Sequence, residues 1–257
     1  MPAMAQSQLL AQAPSQALFA ALASTQLDII ASQRLRYQVF AEEMGAQLPS
    51  ADRGIDVDGY DPFCRHLLVR EAATGDVVAS TRILDSARAA EAGGFYSQSE
   101  FDLGQLGHLP GRVMEVGRTC VRADYRTGGA INSLWTGLAR YMTENHFDYM
   151  MGCASIPFTP GDVAAHALLN QLYTAHPAPE HFRVQPRCPV PRVWTHPASP
   201  ARMPPLLKAY LRIGAWICGE ACWDPEFGVA DVFILLDVKQ VPERYRRHFL
   251  REPVLVS

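Results

Sequence analysis

The stretch from Glu115 to His146 constrains this chain more than any other. Residues Val113 to Val121 alternate as a strand does. Ile131, Leu134, Trp135, Leu138, Tyr141 and Met142 recur at helical spacing and form one face of an amphipathic helix. Between them lies Arg126-Thr127-Gly128-Gly129-Ala130. The order is strand, glycine turn, helix. Such a turn leaves backbone N–H groups unpaired at the positive end of a helix dipole, and glycine lets an anion approach the backbone closely. The pattern predicts a phosphate-binding turn. A plain glycine turn opening a helix is the simpler alternative.

Two familiar glycine motifs are excluded. G-x-G-x-x-G does not occur here, and no Gly-Lys-Ser/Thr follows Gly129 as a P-loop requires. The loop resembles the acyl-donor loop of the GNAT acyltransferase superfamily, Arg/Gln-x-x-Gly-x-Gly/Ala. Arg126 and Gly129 fill its first two marks, and Ile131 stands where the last small residue belongs.

The remaining sequence supports a globular α/β chain. Of its 257 residues 48% are apolar and 19% charged, enough for a substantial core and too little charge for disorder. A net charge of -3 argues against nucleic-acid binding. Six cysteines lack any paired metal spacing and read as reduced thiols of a cytoplasmic protein; Cys218 and Cys222 would share a helix face. No signal peptide and no run long enough to span a bilayer is recognisable. Residues 1–14 read as a poorly ordered N-terminus and residues 15–257 as a single domain, without internal repeat or dividing linker.

In chain order, Ala17 to Ala23 reads as a first strand. Thr25 caps a helix running to about Met44, in which Arg36 sits among apolar residues and needs a partner. An acidic loop follows, carrying Asp52, Asp56, Asp58 and Asp61. It lacks the spacing of an EF-hand, so no metal site is expected; carboxylates for a basic substrate and a solvated loop are the two readings. Residues 66–71 and 77–84 form a hairpin through Gly75. Residues 86–111 read as irregular with a short helix before Gly93. Tyr149 to Ile156 is a strand, and Asp162 caps a helix to about Tyr173. A proline-rich stretch leads to a helix from Pro204-Pro205 to about Ile217, which packs inward or lies on a lipid surface. Val229 to Val238 reads as a strand buried on both faces, and Pro242 opens a last helix.

The motifs Leu35–Gly45, Asp58-Gly-Tyr-Asp61, His66-Leu-Leu-Val, Ser80-Thr-Arg82-Ile-Leu and Glu115-Val-Gly-Arg118 resemble, in this order, acyl-homoserine-lactone synthases and the ornithine-lipid N-acyltransferases of the GNAT superfamily. The second group is matched further by Gly94–Leu103, Cys120-Val, Tyr125-Arg126, Leu134-Trp135, Gly152–Ser155 and Pro204–Trp216, so the likeness runs from about Leu35 to Phe249. Met114 precedes Glu115 where the lactone synthases carry tryptophan. The resemblance implies a GNAT mixed sheet flanked by helices, splayed near the strand ending at Val121. It also implies a long-chain 3-hydroxyacyl donor on acyl carrier protein or CoA, the α-amine of ornithine as acceptor, lyso-ornithine lipid as product, no cofactor, and a cytoplasmic site peripheral to the inner face of the cell membrane. A lactone synthase and a non-enzymatic acyl-donor-binding protein are the alternatives.

The chemistry sets the candidates. A thioester is activated enough for direct attack by a neutral amine, so the protein must take a proton, position the amine and stabilise an oxyanion. Glu115 is the candidate base, with an ion pair to Arg118 or Arg82 as its structural alternative; Arg118 is the second catalytic candidate. Val121, Arg126, Gly128, Gly129 and Ala130 are candidates for the donor. Arg36, Phe40, Asp58, Asp61 and Arg82 are candidates for the acceptor, the arginines meeting carboxylates and the aspartates a cationic side chain. No nucleophile elbow appears, and Cys120 and Cys153 read as packing residues.

Overall fold

The computed structural model describes residues 17–126, 128–191 and 200–245. The first strand is β1 (Leu18–Leu22). Thr25 then caps α1 (Gln26–Tyr37) through a reciprocal capping box with Asp28. The helix continues as a π-helical turn over Gln38–Glu43, where the widened turn carries Val39 and Phe40 inward. The hairpin is β2 (Arg65–Glu71) and β3 (Val77–Asp85), followed by the short α2 (Ser86–Glu91). After β4 (Phe101–Asp102) come β5 (Val113–Val121), α3 (Gly129–Glu144), β6 (Tyr149–Pro157) and α4 (Val163–Ala175). The chain closes through β7 (Gln185–Pro186), α5 (Pro205–Arg212), β8 (Trp216–Ile217), β9 (Cys222–Asp224) and β10 (Val229–Asp237).

One sheet has the order β1-β2-β3-β5-β6-β10-β8, with β9 beside β10; β4 and β7 pair apart from it. Every contact in the main sheet is antiparallel except β5 with β6, which is parallel. On one face α3, α4 and α5 bury Leu134, Leu138, Leu168, Leu172, Leu207 and Tyr210 against the strands. On the other face α1 packs Leu35, Val39 and Phe40, and the irregular 95–110 segment packs Phe101, Leu103 and Leu106. Apolar burial of this extent is the main stabilising term.

The parallel pairing is short. β5 pairs with β6 only over Val113–Glu115 against Tyr149–Met151. Beyond it β5 stays with β3 as far as Val121, while β6 stays with β10 as far as Pro157. A cleft therefore opens between them, the splay the resemblance implied. Gly152 sits at its root: a Cβ there would stand 2.3 Å from the Val116 carbonyl oxygen. Only glycine lets the two backbones approach so closely before they part.

Two expectations differ. The helix from Pro205 ends at Arg212, not near Ile217, because Gly214 turns the chain at φ +98°. Residues beyond it form strands, so Cys218 and Cys222 share no helix face. The poorly ordered N-terminus expected for residues 1–14 and most of the last helix after Tyr245 lie outside the described residues.

Candidate active site

A cavity of about 360 Å³ passes through the cleft between β5 and β6. Tyr96, Glu100, Glu115, Arg118, Asp224 and Asp231 are among its polar lining residues, and Ile131, Leu206, Leu207 and Tyr210 among its apolar ones. Phe40 and Val39, from the π-helical turn, close one wall.

Glu115 is buried, and its two carboxylate oxygens accept hydrogen bonds from the Tyr96 N–H at 2.7 Å and the Ser97 N–H at 2.8 Å. Burial raises its pKa, and the hydrogen bonds from Ser97 and Tyr96 only partly offset that. Among the described residues no arginine lies within ion-pair distance of it, so the ion pair with Arg118 or Arg82 does not form. Each oxygen keeps a second lone pair.

Arg118 stands on a β-bulge. The register of β3 and β5 shifts between Ser80 and Arg82, and Arg118 takes φ +49°. A left-handed arginine costs about 1–2 kcal/mol, a strain that turns the side chain off the sheet face. Thr81 fastens the bulge through Thr119 Oγ1 at 2.7 Å and the Gly117 carbonyl at 3.2 Å. The guanidinium lies 4.5 Å over the Phe227 ring and 5.2 Å from that of Tyr96.

Behind Arg118 lies a buried ion network. Arg36 is fully enclosed; its Nε donates to Asp56 at 2.8 Å and its terminal nitrogens to Asp61 at 2.8 and 2.9 Å. Arg82 donates to Asp58 at 2.5 Å and lies 3.4 Å from Asp61. Arg118 reaches Asp56 at 3.4 Å and Asp58 at 3.6 Å. Burial alone would raise the Asp61 carboxyl, but Arg36 and then Arg82 outweigh it and hold the pKa at about 2. Asp58 is likewise held below its ordinary value: Arg82, then Arg118, outweigh burial.

The predicted site residues thus fall into two sets. Phe40, Glu115, Arg118, Val121, Arg126 and Gly128 line the cavity. Arg36, Asp58, Asp61 and Arg82 do not line it; they form the network that carries Arg118. Gly129 and Ala130 open α3 behind Gly128, which precedes the helix at φ +107°. The first N–H groups of α3 have no intrahelical acceptor; of this turn Arg126 and Gly128 line the cavity, Gly129 and Ala130 do not, and Arg126 pairs with Glu43. Cys120 and Cys153 both line the cavity; burial raises both thiols, Cys120 to about 12, so neither supplies a thiolate nucleophile.

Sequence reasoning missed Tyr96, Glu100, Asp224 and Asp231 as lining groups. Asp231 carried a signal: it is the one carboxylate inside the apolar run of β10, and a buried carboxylate needs a reason.

The Acetyltransferase (GNAT) domain family matches residues 35–136. L-ornithine N(alpha)-acyltransferase of Rhodobacter capsulatus is 37% identical over 244 residues, covering 90% of this chain and 93% of its own. That of Agrobacterium fabrum is 38% identical over 245 residues, covering 89% and 83%. The chain belongs to this family of GNAT acyltransferases. It is therefore an enzyme, which sets aside a non-enzymatic donor-binding protein. Two solved structures share its fold: FeeM, an N-acyl amino acid synthase from uncultured soil microbes (TM-score 0.52, 12% identity, 88% of this chain and 93% of that one), and BjaI, a CoA-dependent acyl-homoserine lactone synthase (0.53, 14%, 90% and 86%). Among the described residues no helix is long and apolar enough to cross a membrane.

Proposed function

We propose that this acyltransferase moves a long-chain 3-hydroxyacyl group from acyl carrier protein to the α-amine of ornithine, forming lyso-ornithine lipid. The observation that carries this reading is the near full-length similarity to proteins named L-ornithine N(alpha)-acyltransferase. The cavity supports it: its lining combines apolar side chains that suit an alkyl chain with carboxylates and a guanidinium suited to an amino acid.

The donor enters from the α3 side. Its pantetheine phosphate meets the N–H groups opening α3 at Gly128, Gly129 and Ala130, with Arg126 beside them. A carrier protein brings a single phosphate on that arm, and a loop with Ile131 in place of a small residue is compatible with it. The thioester carbonyl lies in the cleft beyond Val121. Glu115, directly or through a water, accepts a proton from the acceptor ammonium, and the neutral amine attacks the carbonyl carbon. The C–N bond forms, the C–S bond breaks as the tetrahedral intermediate collapses, and the proton that the nitrogen gives up in becoming an amide offsets the one the departing thiolate takes up to leave as the thiol. Arg118 orients the acceptor carboxylate or meets the oxyanion, its position fixed by Asp56, Asp58 and the Phe227 ring.

Product release into a bilayer requires proximity to one, so peripheral contact with the inner face of the cell membrane belongs to this reading. The direct test combines purified enzyme, 3-hydroxyacyl carrier protein and either ornithine or S-adenosylmethionine. Free thiol and an acylated ornithine are expected with the first acceptor only. Lactone from the second would transfer the reading to a homoserine-lactone synthase, and no thiol with any amino acid would end it.

A further inference from the structure

The cavity holds more carboxyl groups than proton transfer requires. Glu100, Asp224 and Asp231 each place one carboxylate oxygen within 4.8 Å of the others. All three line the same cavity as Glu115 and Arg118. Asp231 is only 3% exposed, and its one hydrogen-bond donor among the described residues is Ser155 Oγ at 2.7 Å. Glu100 Oε2 is enclosed and has no hydrogen-bond partner. The Glu100 side chain has hydrogen bonds with Cys153 and Tyr96, so it is this one enclosed oxygen that lacks a partner, and such an atom costs free energy unless something comes to meet it.

The placement is tied to the reacting end. Glu100 directly follows the turn over Tyr96–Ser99 whose N–H groups hold Glu115. Glu115 is paired with Met151, and Cys153 and Ser155 follow on the same face of β6, roughly 7 and 13 Å further along the strand. Asp231 pairs with Ser155 across to β10. The carboxylates thus extend in one direction from the candidate base, along the line a short acceptor would take.

We infer that Glu100 and Asp231, with Asp224 beside them, form a subsite for the side-chain ammonium of a diamino-acid acceptor. This rests on the reading of the enzyme as an amino-acid N-acyltransferase. A primary ammonium has three N–H donors, and three acceptors each about 2.9 Å from one nitrogen in tetrahedral directions stand about 4.7 Å apart. The triangle of oxygens accommodates that arrangement. Charge agrees: Arg118 acts on Glu100 and Asp231 but is shared with Asp56 and Asp58, so the three acids outnumber the cation beside them. Burial holds the Asp231 and Glu100 carboxyls above their ordinary range, Glu100 and Asp224 raising Asp231 further and Asp224 raising Glu100, against the lowering action of their hydrogen bonds and of Arg118; an arriving cation relieves that state. An uncharged acceptor of the same length would leave these groups unmatched, and a site built for a polar group rejects the analogue lacking it.

The test compares ornithine with norvaline, the same amino acid without its terminal amine. In the wild-type enzyme kcat/KM for ornithine should exceed that for norvaline by about 10²-fold or more. Asp231→Asn and Glu100→Gln should each shrink that ratio at least about tenfold, the ratio cancelling any general loss of folded enzyme. A melting-temperature shift read without donor separates binding from transfer: ornithine should raise it in the wild type more than norvaline, and this difference should vanish in Asp231→Asn. Ornithine and norvaline used equally would overturn the subsite while leaving the acyltransferase reading intact. Protection by ornithine with no thiol release would keep the subsite and overturn the reading. Stabilisation by calcium or magnesium, lost in Asp231→Asn and unmatched by ornithine, would make the cluster a metal site instead.

Discussion

Glu115 and Met151 are the last residues to pair between β5 and β6, and the cavity begins where their pairing stops. The candidate base therefore sits at the root of the cleft, on the last stretch of rigid sheet. Everything beyond it on β5 belongs to the bulge at Arg118 and the turn that opens α3.

The root of the cleft should be intolerant of a side chain. Gly152→Ala places a Cβ 2.3 Å from the Val116 carbonyl oxygen, and that neighbour is backbone and cannot step aside. Overpacking of this kind costs about 1–3 kcal/mol. Thermal unfolding should show a clear drop in melting temperature, and a variant melting with the wild type would refute the close approach.

The donor turn gives the opposite expectation. A Cβ at Gly129 meets only Leu18 Cδ1, at an ordinary 3.6 Å, so Gly129→Val should fold. It should nevertheless obstruct a phosphate approaching the α3 N–H groups and raise the KM for the acyl donor about tenfold or more, with the acceptor KM little changed. An unchanged donor KM would move the phosphate elsewhere.

Much of this arrangement was legible in the sequence. The strand-turn-helix around Gly128, the hairpin and the capped helices follow from period and cap residues, which act locally. The acidic loop was legible as charge, with Arg36, Arg82 and Arg118 as candidate partners for Asp58 and Asp61 beside a basic substrate. Which arginine each of Asp56, Asp58 and Asp61 meets, and that none of the three lines the cavity, depends on partners 20 or more residues away. The cavity wall drawn from Glu100 and from Asp224 and Asp231 of the β9–β10 hairpin joins two segments more than 120 residues apart, so no local pattern announces it. The early end of α5 was signalled by Gly214, against the longer run of apolar residues around it.

The arginine network should appear in acid. Asp61 titrates at about 2 in the folded protein against an ordinary 3.8. A lowered carboxyl stabilises the fold above its unfolded pKa, and that contribution, about 2 kcal/mol, is lost as pH falls from about 4 towards 2. Asp61→Asn should therefore be markedly less stable than the wild type at neutral pH, with the gap narrowing in acid. Parallel stability curves from pH 6 to pH 2 would contradict the pairing.

Glu115→Gln keeps shape and removes basicity. General-base catalysis is worth about 10²- to 10⁴-fold, so kcat at neutral pH should fall within that range. Burial raises the Glu115 carboxyl, so the wild-type pH–rate profile should rise through a pKa above the ordinary carboxylate range as the base is freed. The variant should lack that limb, and its deficit should shrink at high pH, where free amine is abundant. A folded variant with near-normal kcat at neutral pH would give the proton to a bound water held by backbone carbonyls.

The central claim is that this cleft joins a thioester-borne acyl group to the α-nitrogen of ornithine. The most direct measurement is tandem mass spectrometry of the product formed by the purified enzyme from 3-hydroxyacyl carrier protein and ornithine. The predicted result is a single amide on the α-nitrogen, with the side-chain amine free. Acylation of the side-chain nitrogen, or no acylated ornithine from an enzyme that binds both substrates, would contradict it.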